Sequence, residues 1–204
     1  MSYSTVSICN IALGYLGASS IARLDEGSKE SLYCETYFDP SRDATLRDHP
    51  WNFATLRRAL AQMTGEVDPE VYGFSYAYAY PANCLFAREI VNPSSRAPIP
   101  FEVAGDGNGG RVILTDQPQA VLRYTARITD LSAGDPLFIE ALSWKLAVYL
   151  AIPLTQSEPH LRIAKAGYAA ALSIARANDL NEGAGRQETM ASWMTGRTGE
   201  GAWK

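Results

Sequence analysis

Apolar positions along the chain recur first at three- and four-residue steps, then at steps of two, then at three and four again. Near the N-terminus Val6, Cys9, Leu13 and Leu16 fall on one side of a helix. Ser2 or Ser4 can cap it, because a serine hydroxyl accepts from an N–H that the first turn leaves unpaired, and Gly17 is a natural stop. Ile21 and Leu24 tuck the connection against the core. A second helix is expected from about Ser28 to His49, with Leu32, Tyr33, Tyr37, Phe38 and Leu46 as apolar positions and Pro40 as a kink or a new first turn. HPWNFATLRRALAQM reads as a further helix, with Pro50 in its first turn and Trp51, Ala54, Leu56 and Leu60 as contacts.

From about Phe74 to Asp130 the period changes to two. FSYAYAY alternates aromatic and small residues, and LFAREIV, IPFEVAG, RVILTD and AVLRYTARI read as further strands. Turn residues such as GDGNGG and TDQPQ separate them, so four or five strands form an antiparallel sheet. Asp135-Pro136 then starts a helix, a capping acid before a proline. Its stripe is Phe138, Leu142, Leu146, Tyr149 and Leu150, and Pro153 is expected to end it. Thr155 or Ser157 opens the last helix, whose repeating side is Leu161, Ala164, Tyr168, Leu172 and Ala175. After Asn181 the chain is Gly-rich, polar and aperiodic, which reads as a flexible tail. The fold class is therefore α+β, mainly α: a helical bundle with an inserted small antiparallel β-sheet and a flexible C-terminal tail. Residues 1–73 supply N-terminal helices of the bundle, 74–130 the β insertion, 131–183 the C-terminal helices and 184–204 the extended tail. The two helical ends must pack together, since neither has helices enough for its own core.

Composition narrows the function classes. Of 204 residues, 47% are hydrophobic and 20% charged, ordinary globular usage that suits one domain carrying an insertion. A net charge of −4 argues against a broad nucleic-acid surface, which needs a field of Lys and Arg. Cys9, Cys34 and Cys84 form no CxxC pair, and with only His49 and His160 beside them they make no zinc pattern; they read as buried, reduced thiols. The N-terminal run lacks a basic segment and is too short and interrupted for a membrane span, so the expectation is a chain made in the cytoplasm, with no membrane partner.

Catalytic patterns do not emerge. There is no GxSxG, HExxH or P-loop. A structural or capping role suits His49 better than a general base without an identified partner, and His160 is expected to be exposed. GDGNGG, from Gly105 to Gly110, has strands on both sides rather than a strand and a helix, so it reads as a hairpin tip, not a phosphate or calcium loop. The acids from Asp25 to Asp48 (Asp25, Glu26, Glu30, Glu35, Asp39, Asp43, Asp48) are interleaved with Lys29, Arg42 and Arg47. That favours ion pairing on a solvated face over a glycosidase-like carboxylate pair. No cofactor or metal is expected. The tail is the anomaly: it keeps Met190, Trp193, Met194 and Trp203, residue types enriched at protein interfaces. It reads as a peptide anchor that docks on a partner.

One resemblance joins these pieces. TVSICNIALGYLGASSIARLDEGSKESLYCETYFDPSRDATLRDHPWNFA is similar to the N-terminal signature of the phage tail tubular protein A family, which groups with the head-to-tail adaptor, or connector, proteins of tailed phages. The shared features are Asn10 to Leu13 with Leu16-Gly17, the Ile21 to Glu26 turn, an Arg-Asp near a Leu-Arg, and the His-Pro-Trp-Asn-Phe-Ala block from His49 to Ala54. YAYPANCLFAREI resembles the family's Tyr-x-Tyr-x-x-Pro-x-Asp-Cys-Leu element and departs from it at Asn83, where an acid is more usual. LRYTARITDLSAGDPLFIEALSWKLAVYLAIPLTQS resembles its closing helical element, so the likeness covers roughly residues 5 to 180. It implies a non-enzymatic structural subunit at the head–tail junction of a virion or a phage-like particle such as a gene transfer agent. It implies a homo-oligomeric ring, commonly a dodecamer, that binds the portal protein and tail or nozzle proteins and lets DNA pass through its lumen. Met190, Trp193, Met194 and Trp203 then become the portal-docking tail. A lumen that lets DNA slide should be neutral to acidic, which makes Glu30, Glu35, Asp39 and Asp43 candidate channel-lining residues. The alternatives are a tail-associated cell-wall-degrading enzyme, separable by an assay on peptidoglycan, and a scaffolding or chaperone module, which would leave the finished particle.

Overall fold

Serine hydroxyls open both N-terminal helices of the computed structural model, which describes residues 3–63, 73–92, 97–107, 109–131 and 134–183. Helix α1 (Thr5–Tyr15) starts at Ser4, whose Oγ accepts from Ser7 N at 3.1 Å while Ser7 Oγ accepts from Ser4 N at 2.9 Å. It ends where Gly17 takes φ 65° and Ala18 N–H reaches back to the Leu13 carbonyl, a turn that needs a residue without Cβ strain. Helix α2 (Lys29–Asp48) starts at Ser28 and runs through Pro40 to His49. Helix α3 (Pro136–Thr155) is capped by Asp135, which accepts from Leu137 N and Phe138 N. Helix α4 (Glu158–Gly183) is the longest.

Helix α3 is long and apolar enough to cross a membrane by composition alone, but it is the axle of the bundle: α1, α2 and α4 all pack on it. Phe138, Ile139, Leu142, Leu146 and Leu150 form its large buried stripe, and Ala141, Ser143, Ala147 and Ala151 extend the burial round the helix, as enclosure by neighbours requires. It does not end at Pro153. The proline removes one bond, to the carbonyl of the partly exposed Tyr149, where water can serve instead. The helix continues to Gln156, which caps it in the left-handed region at φ 50°.

Close approach fixes α4 against α3 at Gly167. A methyl group at this position would lie 2.6 Å from the Trp144 indole, and the indole in turn stacks on Tyr15 of α1 at 3.8 Å and 6°. Gly167→Ala is therefore expected to destabilise the protein by about 1–2 kcal/mol: overpacking costs about 1–3 kcal/mol, and alanine's better helix propensity returns up to about 1. Urea unfolding measures it, and an unchanged or raised midpoint would show that the Tyr15–Trp144 stack yields freely.

Among the described residues five strands lie within 74–130, as expected, but with a sixth from 55–59 they form two sheets rather than one. A three-stranded antiparallel sheet has the order β1-β6-β3, from β1 (Thr55–Ala59), β6 (Val121–Ala126) and β3 (Cys84–Val91). A second has the order β2-β5-β4, from β2 (Tyr76–Ala79), β5 (Arg111–Thr115) and β4 (Phe101–Gly105). Two single bridges, Ile90↔Ile99 and Gln62↔Tyr78, join the sheets on opposite sides. The strands thus close a circle, which leaves few open edges to aggregate. Tyr78, Ile90, Ile113, Leu122 and Tyr124 fill the inside as a core separate from that of the helices.

Strand β1 corrects the helix expected over HPWNFATLRRALAQM. Only Asn52–Ala54 turn, as a 3₁₀ segment; from Thr55 the chain is extended and pairs with β6, from Thr55↔Thr125 to Ala59↔Val121. Its side chains are mostly exposed, so neither a helical nor a strand face shows in hydrophobicity. Pairing with β6 decides the conformation. The stretch 1–73 accordingly contains a strand of the β portion as well as helices. The tail expected over 184–204 lies outside the described residues.

Candidate functional site

The His49–Ala54 block lies where α2 ends, and it meets the C-terminal half of α4. His49 is buried, and its Nε2 pairs with Asp179 Oδ2 at 2.9 Å. The other carboxylate oxygen of Asp179 accepts from Asn52 N at 2.9 Å, and the Asn52 carboxamide donates to the Asp179 carbonyl at 2.6 Å. Trp51 is fully buried; its Nε1–H donates to the Thr45 carbonyl at 2.9 Å. The ring meets His49 and Phe138 edge-on, with centroids 4.9 and 5.1 Å away. Pro50 prevents α2 from continuing and turns the chain into this contact.

A second set of bonds lies beside the first. Asp48 accepts from the Tyr168 hydroxyl, lies 3.5 Å from Lys145 Nζ, and offers its carbonyl to Arg176. Burial and the adjacent Asp48 carboxylate hold the Tyr168 phenol above its ordinary range. The phenol therefore stays a donor through the physiological range and cannot serve there as a base. These groups form a polar joint between α2, α3 and α4. His49 has an orienting partner but no neighbouring nucleophile among its contacts, and Asp179 is spent on three bonds. The arrangement positions backbone at the meeting of α2 and α4.

The other resembling motifs close turns in the same way. Asn10 donates to the Ile21 carbonyl at 2.9 Å and accepts from Ile21 N at 2.8 Å, so the Asn-x-Ala-Leu element clips the Ile21 turn onto α1. Glu26 accepts from Ala22 N, Arg23 N and Ser28 Oγ, and these bonds lower its carboxyl below the ordinary carboxylate range. Asn83 accepts from the Tyr124 hydroxyl at 3.1 Å. The acceptor oxygen that an acid would bring to that position is thus supplied by the carboxamide.

The candidate channel residues all lie on α2, but they are not one set. Glu35, Asp39 and Asp43 follow at four-residue steps on a single side, whereas Glu30 is half-buried and falls on the opposite side, next to Cys34. Glu35 and Asp39 are exposed. Asp43 is bound by Arg42 at 2.9 Å and by Arg127 of β6's end at 2.8 Å, and Asp39 also pairs with the buried Arg42, at 2.8 Å. Arg127 and Arg88, which donates to the Arg47 carbonyl, dock the β portion on α2.

Of the remaining expectations, Cys9, Cys34 and Cys84 are free and buried, with Cys9 and Cys34 in side-chain contact across α1 and α2. GDGNGG joins β4 to β5; Asp106 N donates to the Gly110 carbonyl and Gly110 N to Asp106 Oδ1, the bonds of a hairpin tip. His160 is half-buried rather than exposed, with Nδ1 unpartnered. It lies in the first turn of α4, where burial against the bundle begins. A cleft of about 330 Å³ beside Tyr80 is lined by Met63 and by Arg111, whose guanidinium covers the Tyr80 ring at 3.9 Å. Among the described residues no three His, Cys, Asp or Glu side chains are grouped to hold a metal ion. Met190, Trp193, Met194 and Trp203 lie outside the described residues.

Asp179 is the residue that sequence reasoning missed. The signal was present: it continues the apolar stripe through Leu172 and Ala175 at a four-residue step, where a carboxylate must find a buried partner. Compared with known proteins, the chain matches no family model and no curated sequence.

Proposed function

We propose that this chain is a structural head-to-tail adaptor: one subunit of a homo-oligomeric ring between the portal and the tail of a phage or phage-like particle. The ring extends the DNA channel and seats tail or nozzle proteins. One observation carries the reading. The motifs that resemble the adaptor family are the residues that build joints: Asn10 and Glu26 close the α1–α2 turn, and His49, Trp51 and Asn52 tie α2 to α4. An enzyme's signature residues converge on a pocket with a reacting group; these converge on bonds that fix the backbone, buried at His49 and Trp51, part-buried at Asn10 and exposed at Glu26. Such joints suit a subunit that must keep its shape under the load of packaged DNA.

Portal binding tests it. In this reading Met190, Trp193, Met194 and Trp203 enter a groove on the portal. Ordering costs about 1–2 kcal/mol per residue, and each buried anchor returns about 1.5–3 kcal/mol, so only part of 184–204 becomes ordered. The full chain should bind purified portal rings of the same particle. Removing residues 184–204 should leave the melting temperature nearly unchanged and weaken binding by about tenfold or more, close to the worth of one buried anchor. Equal affinity of the truncated and full chains would place docking elsewhere, and no binding by either would sink the adaptor reading.

The channel gives a second test. Glu35 and Asp39 are the acids left facing outward on α2, so they are the charges we assign to the lumen. The Glu35→Lys/Asp39→Lys protein should still assemble, but its rings should retain double-stranded DNA at low salt and release it as salt rises. Wild-type rings should not retain it. Rings of both proteins that ignore DNA equally would remove α2 from the channel wall.

A further inference from the structure

Helix α4 packs on α3 with Ala164, Ala171, Leu172 and Ala175 and leaves its opposite side uncovered. That side carries Ile163, Ala166, Ala170, Ile174 and Ala177, in three- and four-residue steps, with Leu180 at its edge. The large members are well exposed: Ile163 is 59% accessible, Ile174 56% and Leu180 60%. No charge interrupts it from Ala166 to Leu180, because Arg176 and Asp179, the charged residues of that stretch, both turn into the joint with α2. A solvated helix face ordinarily bears charge, and a bare one marks an interface.

We propose that this face binds the same face of a second copy of the chain, antiparallel, about a two-fold axis at Ala170. The spacing is self-complementary. Antiparallel pairing centred on Ala170 sets Ile163 against Ala177 of the second copy, Ala166 against Ile174, and Ala170 against Ala170. Large meets small on either side of a small–small centre, and the small residues let the axes approach to about 8 Å. An uncharged surface also selects a partner without charge, since an ion buried there would lose its hydration unpaired. Elsewhere among the described residues Leu32 lies one helical turn from Glu35, and the Arg88 guanidinium covers the Phe86 ring. The contact spans roughly 26 Å of one helix, smaller than the standard interface of about 800 Å² per partner, so the pair forms and parts with concentration. It is independent of the adaptor reading. A two-fold contact closes on itself and cannot propagate into a ring, so within that reading it is a state of the free subunit.

Sedimentation equilibrium of the full chain should show a reversible monomer–dimer equilibrium. Ala170→Glu sets two like charges at the axis and should raise the dissociation constant by about a hundredfold, with the melting curve unchanged. Cross-linking fixes the register. Under a mild oxidant Ala170→Cys should couple to itself, whereas Ala166→Cys and Ile174→Cys should couple when mixed. The three native cysteines are buried and supply no background. A chain monomeric at every concentration overturns the proposal, as does a dimer indifferent to Ala170→Glu. So does a monomer in which the Ala170→Cys thiol reacts slowly with maleimide, because the face is then covered by residues 184–204 of the same chain.

Discussion

Asp179→Ala should lower the unfolding free energy by about 2–4 kcal/mol, the cost of leaving two hydrogen-bond donors without their shared acceptor. The substitution touches no apolar core, so the expectation rests on what is left behind. His49 Nε2 and Asn52 N–H both lose their acceptor; at His49 water does not replace it, since the His49 and Asp179 side chains are each 8% accessible, whereas Asn52 is more exposed. Stranding buried donors costs about 1–3 kcal/mol each. The effect should be unequal across variants. Asp179→Asn keeps an acceptor oxygen for one of the two donors and should lose about half as much. A double-mutant cycle with His49→Ala in urea should return a coupling of about 1–3 kcal/mol. A coupling near zero would mean that Asp179 serves Asn52 alone and that the histidine is incidental to the joint.

How much of this was legible beforehand follows from where the determinants lie. The four helices announce themselves because each has a buried face, and burial imposes a period, as with Phe138, Leu142 and Leu146 on α3. Tyr76 to Ala79 on β2 alternate aromatic and small residues, and the other strands within 74–130 show as short apolar runs between turn residues. Strand β1 has no such face. Leu56 is 41% accessible and the flanking Arg57 and Arg58 are exposed, so its conformation is dictated by β6 across the ladder, some 65 residues later in the chain. The closed β circle was hidden too, since it depends on two single-residue bridges, Gln62↔Tyr78 and Ile90↔Ile99, and a period of two marks a strand without naming its partner. Pro153 misled because proline forbids one hydrogen bond, not a helix, and the cost falls where the lost bond is exposed.

The candidate site was half legible. The His49–Ala54 block was singled out and a structural role was expected of His49, but its partner Asp179 stands 130 residues away. Pairing over such a distance leaves no local trace beyond a carboxylate on an apolar stripe. The acids of α2 show the converse. A neutral to acidic lumen pointed to some of four acids, and the helical angle divides them: Glu30 faces Cys34 while Glu35, Asp39 and Asp43 face away. Arginines from both α2 and β6 then neutralise Asp43, which only the docked β portion brings within reach.

Trp51→Ala is expected to have the largest effect of all on the fold, about 3–5 kcal/mol for the side chain alone. Trp51 is fully buried where three elements meet. Its ring is edge-on to Phe138 of α3 and to His49 at the α2 end, and Phe53 in turn lies 4.9 Å from Phe138. Alanine would leave a void bounded by elements that cannot close it, because Pro50 and the Asp179 bonds hold the turn in place. The cost also includes the Thr45 carbonyl, which loses the Nε1–H that satisfies it at 2.9 Å. Against a typical total of about 5–15 kcal/mol, such a loss would leave the bundle marginal, with the joint open and α4 free of α2. Trp51→Phe separates the contributions: it keeps most of the volume and loses the hydrogen bond, so about 1–2 kcal/mol should disappear. Chemical unfolding monitored by far-UV circular dichroism measures both. The discriminating comparison is between regions. Amide exchange in α4 should accelerate strongly in Trp51→Ala, whereas exchange in β2, β4 and β5, which have their own core, should change little. Uniform acceleration across both would show that the helical bundle and the β circle unfold as one cooperative unit, with the joint governing both.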